Sequence, residues 1–212
     1  NVSYAGGVIG VLTQESGFKT NKNNPSIVNC VTSGDVTIKA FVVGGVFGLV
    51  DTNIVVSSAK FVLNDEQNSQ QKLEADNIAG GVVGENRGAV IYSYIAMSDS
   101  NQRQSDQEYN LTGNSESQTG LKTLFADSPK VIGGLVGLNV GTGGEDVSDQ
   151  TGGIEYSYSR VDVVNENAFV AGGLVGLAIT KTSELSAGIE NFLNNQSISV
   201  YGTETNSAFK TS

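Results

Sequence analysis

The sequence contains no histidine and no tryptophan, and only one cysteine, Cys30, among its 212 residues. Without histidine it lacks the most common general base and the most common transition-metal ligand of proteins. A single cysteine excludes an internal disulfide and any zinc site built from several cysteines. The chain has only 2 prolines, which excludes a proline-rich linker or a collagen-like protein. These absences leave a narrow range of chemistry.

Long apolar runs are also missing. No uninterrupted apolar run reaches the length of about 18 residues that a membrane-spanning helix needs, so no direct insertion into a membrane is expected. Acidic residues outnumber basic residues by 22 to 12, which gives a formal net charge of -10. Such a charge repels nucleic-acid phosphates and anionic lipid head groups, so nucleic acid is not an expected partner. Because the chain begins at Asn1 without an initiator methionine, we expect residues 1–212 to be one domain of a longer protein.

Glycine is abundant, and it recurs in a fixed pattern. The pentapeptide Gly-Gly-apolar-apolar-Gly occurs five times, with first glycines spaced by 38, 36, 53 and 39 residues. Three of these four spacings agree closely, and a long polar stretch accounts for the fourth. The fifteen glycines that mark the pattern are Gly6, Gly7, Gly10, Gly44, Gly45, Gly48, Gly80, Gly81, Gly84, Gly133, Gly134, Gly137, Gly172, Gly173 and Gly176. Such a period is typical of repeat proteins built from stacked units.

A second pattern follows each pentapeptide. It consists of an aliphatic residue, any residue, Asn, Tyr or Val, and then Ser, Cys or Phe, at positions 27–30, 54–57, 90–93, 154–157 and 189–192. This alignment places Cys30 with Ser57, Ser93 and Ser157, as a small residue in a stacked column. Each unit therefore contains two strand-rich halves, and we expect a half-unit of roughly twenty residues to form one coil.

The residues around the glycines favour strands over helices. Short runs such as 41–43 and 169–171 are rich in β-branched and aromatic residues, and Gly, Asn or Ser bounds them. A helix would contain two or three glycines per unit, each costing about 1 kcal/mol. We expect glycine to supply positive φ at the corners and to allow close approach of the backbone. Equivalent positions would then stack into two apolar columns: Val8, Val46, Val82, Leu135 and Leu174, and Ile9, Phe47, Val83, Val136 and Val175.

These residues resemble the GLUG motif, whose pattern is roughly GGLVGxNxGxIxNSY. The likeness is closest at 133–139, 172–177, 80–93 and 154–159, and the first two copies are degenerate. Proteins with this motif include large bacterial surface and secreted proteins, such as filamentous-haemagglutinin-like adhesins and the non-catalytic parts of immunoglobulin A-specific peptidases. The resemblance implies an extracellular or cell-surface setting. It implies no catalytic residues.

Three polar stretches interrupt the pattern, and we expect them to be loop insertions at about 64–76, 98–130 and 141–153. Insertions in repeat proteins map to loops on one side, where they either bind a partner or are simply tolerated. The third stretch contains Glu145, Asp146 and Asp149, a candidate calcium site. Its spacing matches neither an EF-hand nor a Gly-Gly-x-Gly-x-Asp repeat, so a solvated acidic loop is favoured. No other cofactor is expected.

Catalytic patterns are absent from the sequence. No histidine is available to activate a serine, and neither Gly-x-Ser-x-Gly nor His-Glu-x-x-His is present. A pair of carboxylates acting on glycosides remains open, since it needs only Asp or Glu in a cleft. The tyrosine pairs Tyr92, Tyr94, Tyr156 and Tyr158 alternate along expected strands. We expect them to stack inward, with an exposed carbohydrate platform as the alternative.

The sequence therefore predicts an all-β protein, a right-handed parallel β-solenoid (β-helix) with polar loop insertions. We expect a non-catalytic adhesin or structural scaffold segment of a bacterial surface protein. Its partners would be a protein or glycan on a host or neighbouring cell, or other copies of the same units stacked end to end. The first alternative is a non-catalytic repeat region of a secreted peptidase, and the second is a solenoid carbohydrate-active enzyme.

Overall fold

The computed structural model describes residues 2–13, 23–63, 71–97, 125–126, 129–142, 153–160, 163 and 168–181. Within these residues the protein contains nineteen β-strands, which form four parallel sheets, and no helix. The predicted all-β class is confirmed.

Each sheet is built from strands that lie far apart in the sequence. Sheet 1 contains β1 (Tyr4–Gly6), β5 (Thr37–Gly44), β9 (Lys72–Gly80), β14 (Val131–Gly133) and β18 (Val170–Gly172), with β13 (Phe125–Ala126) paired to β9. Sheet 2 contains β2 (Ile9–Leu12), β6 (Phe47–Val50), β10 (Val83–Asn86), β15 (Val136–Thr142) and β19 (Val175–Lys181). Sheet 3 contains β3 (Ile27–Val28), β7 (Val55–Ser57), β11 (Ala89–Ile91) and β16 (Gly153–Glu155). Sheet 4 contains β4 (Val31–Thr32), β8 (Lys60–Leu63), β12 (Tyr94–Met97) and β17 (Tyr158–Ser159).

The chain visits the four sheets in the same order each time, and we call one such passage a layer. Layer 1 is β1 to β4, layer 2 is β5 to β8, layer 3 is β9 to β12, layer 4 is β13 to β17, and β18 and β19 belong to layer 5. Every described strand pairs with a strand of a neighbouring layer, as Gly6 does with Gly44 and Gly44 with Gly80. A layer is therefore a whole unit of about 38 residues, and the predicted coil of half a unit is wrong. The two halves differ because the glycine pattern connects sheets 1 and 2, whereas the second pattern connects sheets 3 and 4.

The five pentapeptides stack in register, as predicted. Ile9, Phe47, Val83, Val136 and Val175 pair in sequence across sheet 2. Beside them, four backbone hydrogen bonds join the other predicted column. The N–H of each residue donates to the carbonyl of the next residue in the series Val8, Val46, Val82, Leu135 and Leu174. Both predicted apolar columns are confirmed.

Close approach of the backbone explains why each glycine pattern begins with two glycines. A Cβ atom on the first glycine would overlap the carbonyl oxygen three residues later, as on Gly80 with Val83. A Cβ atom on the second would overlap the next layer and, in the central layers, a sheet 4 side chain: Phe61 at Gly45 and Ile95 at Gly81. The expectation of positive φ at these glycines is wrong, because Gly34 is the single glycine with positive φ among the described residues.

The core lies between the sheets and runs through all the central layers. One apolar cluster contains residues of all four sheets, including Val43, Val83, Val90, Phe61 and Ile95. A second, smaller cluster packs the other face of sheet 1 against sheet 2, with Ile78, Val131 and Leu138 among its members. The shared cluster explains why the four sheets hold together although each strand is short.

The predicted insertions are shorter than the polar composition suggested. Lys72–Gly80 is strand β9, so the first insertion cannot extend to residue 76, and its residues 64–70 lie outside the described residues. Leu73 and Ala75 face the core while Lys72, Glu74 and Asp76 face outward. This alternation is the period of a half-buried strand. The other two insertions also lose residues to strands, at Phe125–Ala126, Val136–Thr142 and Gly153–Glu155.

Candidate functional site

Four tyrosines form an exposed patch where sheet 3 passes into sheet 4. We call Tyr92, Tyr94, Tyr156 and Tyr158 the tyrosine patch. The ring of Tyr92 stacks on that of Tyr156, and the ring of Tyr94 on that of Tyr158, each with a centroid distance of 5.0 Å. Tyr92 is 54% exposed, Tyr156 73% and Tyr158 42%. The expected inward stacking is wrong, because the tyrosines stack between layers on the outside of the protein.

The backbone at this corner explains the outward direction. Asn29, Ser58, Tyr92 and Tyr156 occupy equivalent positions in layers 1 to 4, and all four have positive φ, between 49° and 58°. Asparagine tolerates this left-handed region, whereas a bulky tyrosine rarely adopts it, at a cost of about 1 to 2 kcal/mol. The strict alternation assumed in the sequence therefore breaks at residues 92 and 156. The left-handed residue turns the chain between the two sheets and points its side chain to solvent.

Two cations flank the patch. Lys60 Nζ lies 5.5 Å from the centroid of the Tyr94 ring, and Arg160 Cζ lies 5.2 Å from that of the Tyr158 ring. These distances are those of cation–π contacts. Burial raises the pKa of Tyr158, against an opposing effect of the Arg160 charge. The patch thus joins aromatic surface to positive charge on a chain whose net charge is -10.

A column of small residues lies directly behind the tyrosines. Cys30, Ala59, Ser93 and Ser157 are equivalent, since the N–H groups of Lys60, Tyr94 and Tyr158 donate to the carbonyls of Cys30, Ala59 and Ser93. The predicted equivalence of Cys30 with Ser93 and Ser157 is confirmed, but Ala59 rather than Ser57 is the member from layer 2. The sequence alignment of residues 54–57 was two residues out of register, because Ile27 pairs with Val56. Ala59 and Ser93 of this column are buried, whereas three of the four tyrosines of the patch are exposed.

A buried ionic cluster lies elsewhere, on sheet 2. Glu85 is 2% exposed and stands between Leu49 and Leu138 in the sheet, where the other layers have apolar residues. Arg87 Nε donates to Glu85 Oε1 at 2.6 Å, and Tyr4 Oη donates to Glu85 Oε2 at 3.0 Å. Burial and then the Glu85 carboxylate raise the pKa of Tyr4 to about 12. Sequence reasoning missed this cluster, although a charged residue in an aligned column of leucines was a visible signal.

The predicted calcium candidates Glu145, Asp146 and Asp149 lie outside the described residues. Among the residues that the structure describes, no group of three or more His, Cys, Asp or Glu side chains could hold a metal ion. Glu85 is the one buried carboxylate of this part of the chain, and both of its oxygens accept hydrogen bonds. It is a neutralised structural group in this arrangement, not half of a carboxylate pair facing a cleft.

Comparison with known proteins found no matching family model, no matching curated protein and no matching solved structure. Among the described residues, no helix is long and apolar enough to cross a membrane. The tyrosine patch is therefore the candidate site on the strength of its own geometry.

Proposed function

We propose that this chain is a non-catalytic binding or scaffold segment of a bacterial cell-surface or secreted protein, and that its four sheets form a right-handed parallel β-solenoid. The observation that carries the proposal is the register between layers: the same position of each unit pairs with its equivalent in all four sheets. Parallel strands joined by such crossovers are right-handed in nearly all known cases.

This architecture suits display rather than catalysis. Stacking in register repeats each outward position at the layer spacing of about 4.8 Å, so one exposed position becomes a column of side chains. The tyrosine patch is such a column pair on an otherwise acidic protein. A rigid stack with an exposed aromatic face has the features of a surface segment that contacts another cell, as expected for proteins that the glycine pattern resembles.

Adhesion of coated beads tests the functional part. Beads carrying the complete chain of 212 residues should remain on a layer of host or bacterial cells under flow that removes beads carrying an unrelated protein of equal size and charge. Retention equal to that control on every cell type would contradict the proposal. A crystal structure tests the architecture, with an open or left-handed arrangement of the sheets as the contrary result.

A further inference from the structure

Among the residues that the structure describes, no ring covers the face of Tyr92 that points toward layer 2, and the register sets the position of this face. Ser58 is the equivalent of Tyr92 in layer 2, since the N–H groups of Ser58 and Tyr92 donate to the equivalent carbonyls of Ile91 and Glu155. On one side the ring of Tyr156 covers Tyr92 at 5.0 Å. On the other side the equivalent residue is Ser58, whose short side chain carries no ring, so no ring of the described part of the chain fills this place. We call this place the Ser58 notch.

The neighbours of the Ser58 notch are polar and positively charged. Lys60 is the equivalent of Tyr94 in layer 2, because the two residues pair in sheet 4. Lys60 therefore lies next to Ser58 in the same way that Tyr94 lies next to Tyr92. Its Nζ covers the Tyr94 ring, so the corresponding face of that second column is already occupied. Asn29 stands one layer further along the same column as Ser58. A ligand ring in the notch would therefore contact an aromatic face, an amide, a hydroxyl and an ammonium group.

We propose that the Ser58 notch binds one acidic sugar ring of an oligosaccharide, stacked on Tyr92 with its carboxylate toward Lys60. A pyranose ring presents C–H groups on its faces, which the negative face of an aromatic ring attracts, and hydroxyl groups at its rim. A ring in the notch would lie one layer spacing, about 4.8 Å, from the Tyr92 ring. The Tyr156 ring lies at a similar distance of 5.0 Å on the opposite face. The carboxylate of the sugar would pair with the positive charge of Lys60. Glu155 is an acidic residue of the same corner, and it lies in layer 4, two layers from Ser58.

The backbone conformation of Tyr92 supports a binding role for its ring. Tyr92 keeps a conformation that costs about 1 to 2 kcal/mol for a bulky residue, whereas Asn29 shows that asparagine fits the equivalent position. Stacking on Tyr156 returns only about 0.5 to 1.5 kcal/mol. Stability therefore gives little reason to prefer tyrosine at this position, and ligand contact gives one. A protein partner is less suited, since a stable protein interface covers about 800 Å² per side.

This inference deepens the proposed function by naming the ligand class of the exposed face. The test is an array of uronate-containing and sialylated oligosaccharides beside their uncharged counterparts, probed with the complete chain. We expect acidic members to be retained, and we expect Tyr92→Asn to weaken that retention about tenfold. Tyr92→Phe, which keeps the ring, should bind within about threefold of the wild type, and Lys60→Gln should lose the preference for acidic members.

Phe169→Asn is the matched control, because Phe169 is 54% exposed like Tyr92 but lies outside the patch. It should leave retention unchanged, and thermal unfolding should show that Tyr92→Asn is folded. Failure to retain any acidic member, equal retention of the uncharged members, or full retention by Tyr92→Asn would overturn the inference. Bead adhesion by a chain that retains no acidic oligosaccharide would refute this site and leave the proposed function standing. Array binding by a chain that adheres to no cell would do the reverse.

Discussion

The Oγ atom of Ser157 accepts a hydrogen bond from the backbone N–H of Ser93, at 3.0 Å across the boundary between two layers. The Ser93 hydroxyl does the same for the N–H of Ala59 and donates its proton to the carbonyl of Ile91. Each serine thus satisfies a backbone donor of the neighbouring layer at a corner where no strand partner is available. This bond explains the serine of the second sequence pattern at Ser93 and Ser157.

Ser93→Ala should destabilise the protein by about 1 to 3 kcal/mol, because the buried N–H of Ala59 loses its acceptor. Thermal unfolding should show a fall in midpoint of about 2 to 4 °C for each kcal/mol. Ser33→Ala changes an exposed serine and should leave the midpoint unchanged. Equal midpoints for the two variants would contradict the role of the column.

Gly80→Ala should destabilise the protein by about 3 kcal/mol or more, because the new Cβ would overlap the carbonyl oxygen of Val83 in a fully buried turn. The control is Gly153→Ala, whose Cβ would make an ordinary 3.9 Å contact with Ala89. That change should be neutral or stabilise by up to about 1 kcal/mol, since alanine restricts the unfolded chain. Urea unfolding measures both. A stable Gly80→Ala variant would be inconsistent with the close approach.

Arg87→Ala should cost about 3 kcal/mol, because it leaves the buried Glu85 carboxylate with Tyr4 alone. Glu85→Leu should cost less than about 1 kcal/mol, since leucine matches Leu49 and Leu138 in the same column. The side chain of Arg87 is 37% exposed and can then be hydrated. The order of the two variants in urea unfolding is the result to check, and the reverse order would rule out this account.

Tyr4 should contribute stability below pH 10 that is lost as the pH rises toward 12. Its pKa is raised from 10.0 to about 12 in the folded protein, so the unfolded chain loses the phenolic proton at a lower pH. Ionisation therefore favours the unfolded state between about pH 10 and 12, and the free energy of unfolding falls over that interval. The effect is on the order of 1 kcal/mol, because Tyr4 is only partly buried and water screens its charge interactions.

Comparison of the wild type with Tyr4→Phe isolates this group from the other tyrosines. The stability advantage of the wild type should shrink between pH 10 and 12, and a constant difference through pH 12 would exclude the contribution of Tyr4.

The sequence predicted the β-class, the register of the glycine pattern and the apolar columns, because stacked equivalent residues leave a visible period. Val46 and Val82 could be matched without any knowledge of the chain path. The number of strands per unit was not visible, because corners such as Ser58 have no glycine or proline to mark them. For the same reason Ser57 was aligned in place of Ala59.

The candidate site could be predicted in its residues but not in its orientation. Tyr92 and Tyr94 were identified by their spacing, and a strand of strict alternation would place them on one face. A single left-handed residue at position 92 changes the direction of the chain between them. Tyrosine is not a residue type that usually indicates a left-handed conformation. The Glu85 cluster was hidden because Tyr4, its partner, lies two layers away.

The register of sheet 1 has a consequence for how this chain can change in length. Gly80 pairs with Gly133 in the same way as Gly44 pairs with Gly80, although 53 residues separate the first pair and 36 the second. Connection length is therefore independent of the geometry of the stack, and doubling a connection adds only about 0.6 kcal/mol of closure entropy. We therefore expect that lengthening the chain between β12 and β13 leaves the pairing of Gly80 with Gly133 intact, and that this connection can serve to carry a grafted peptide.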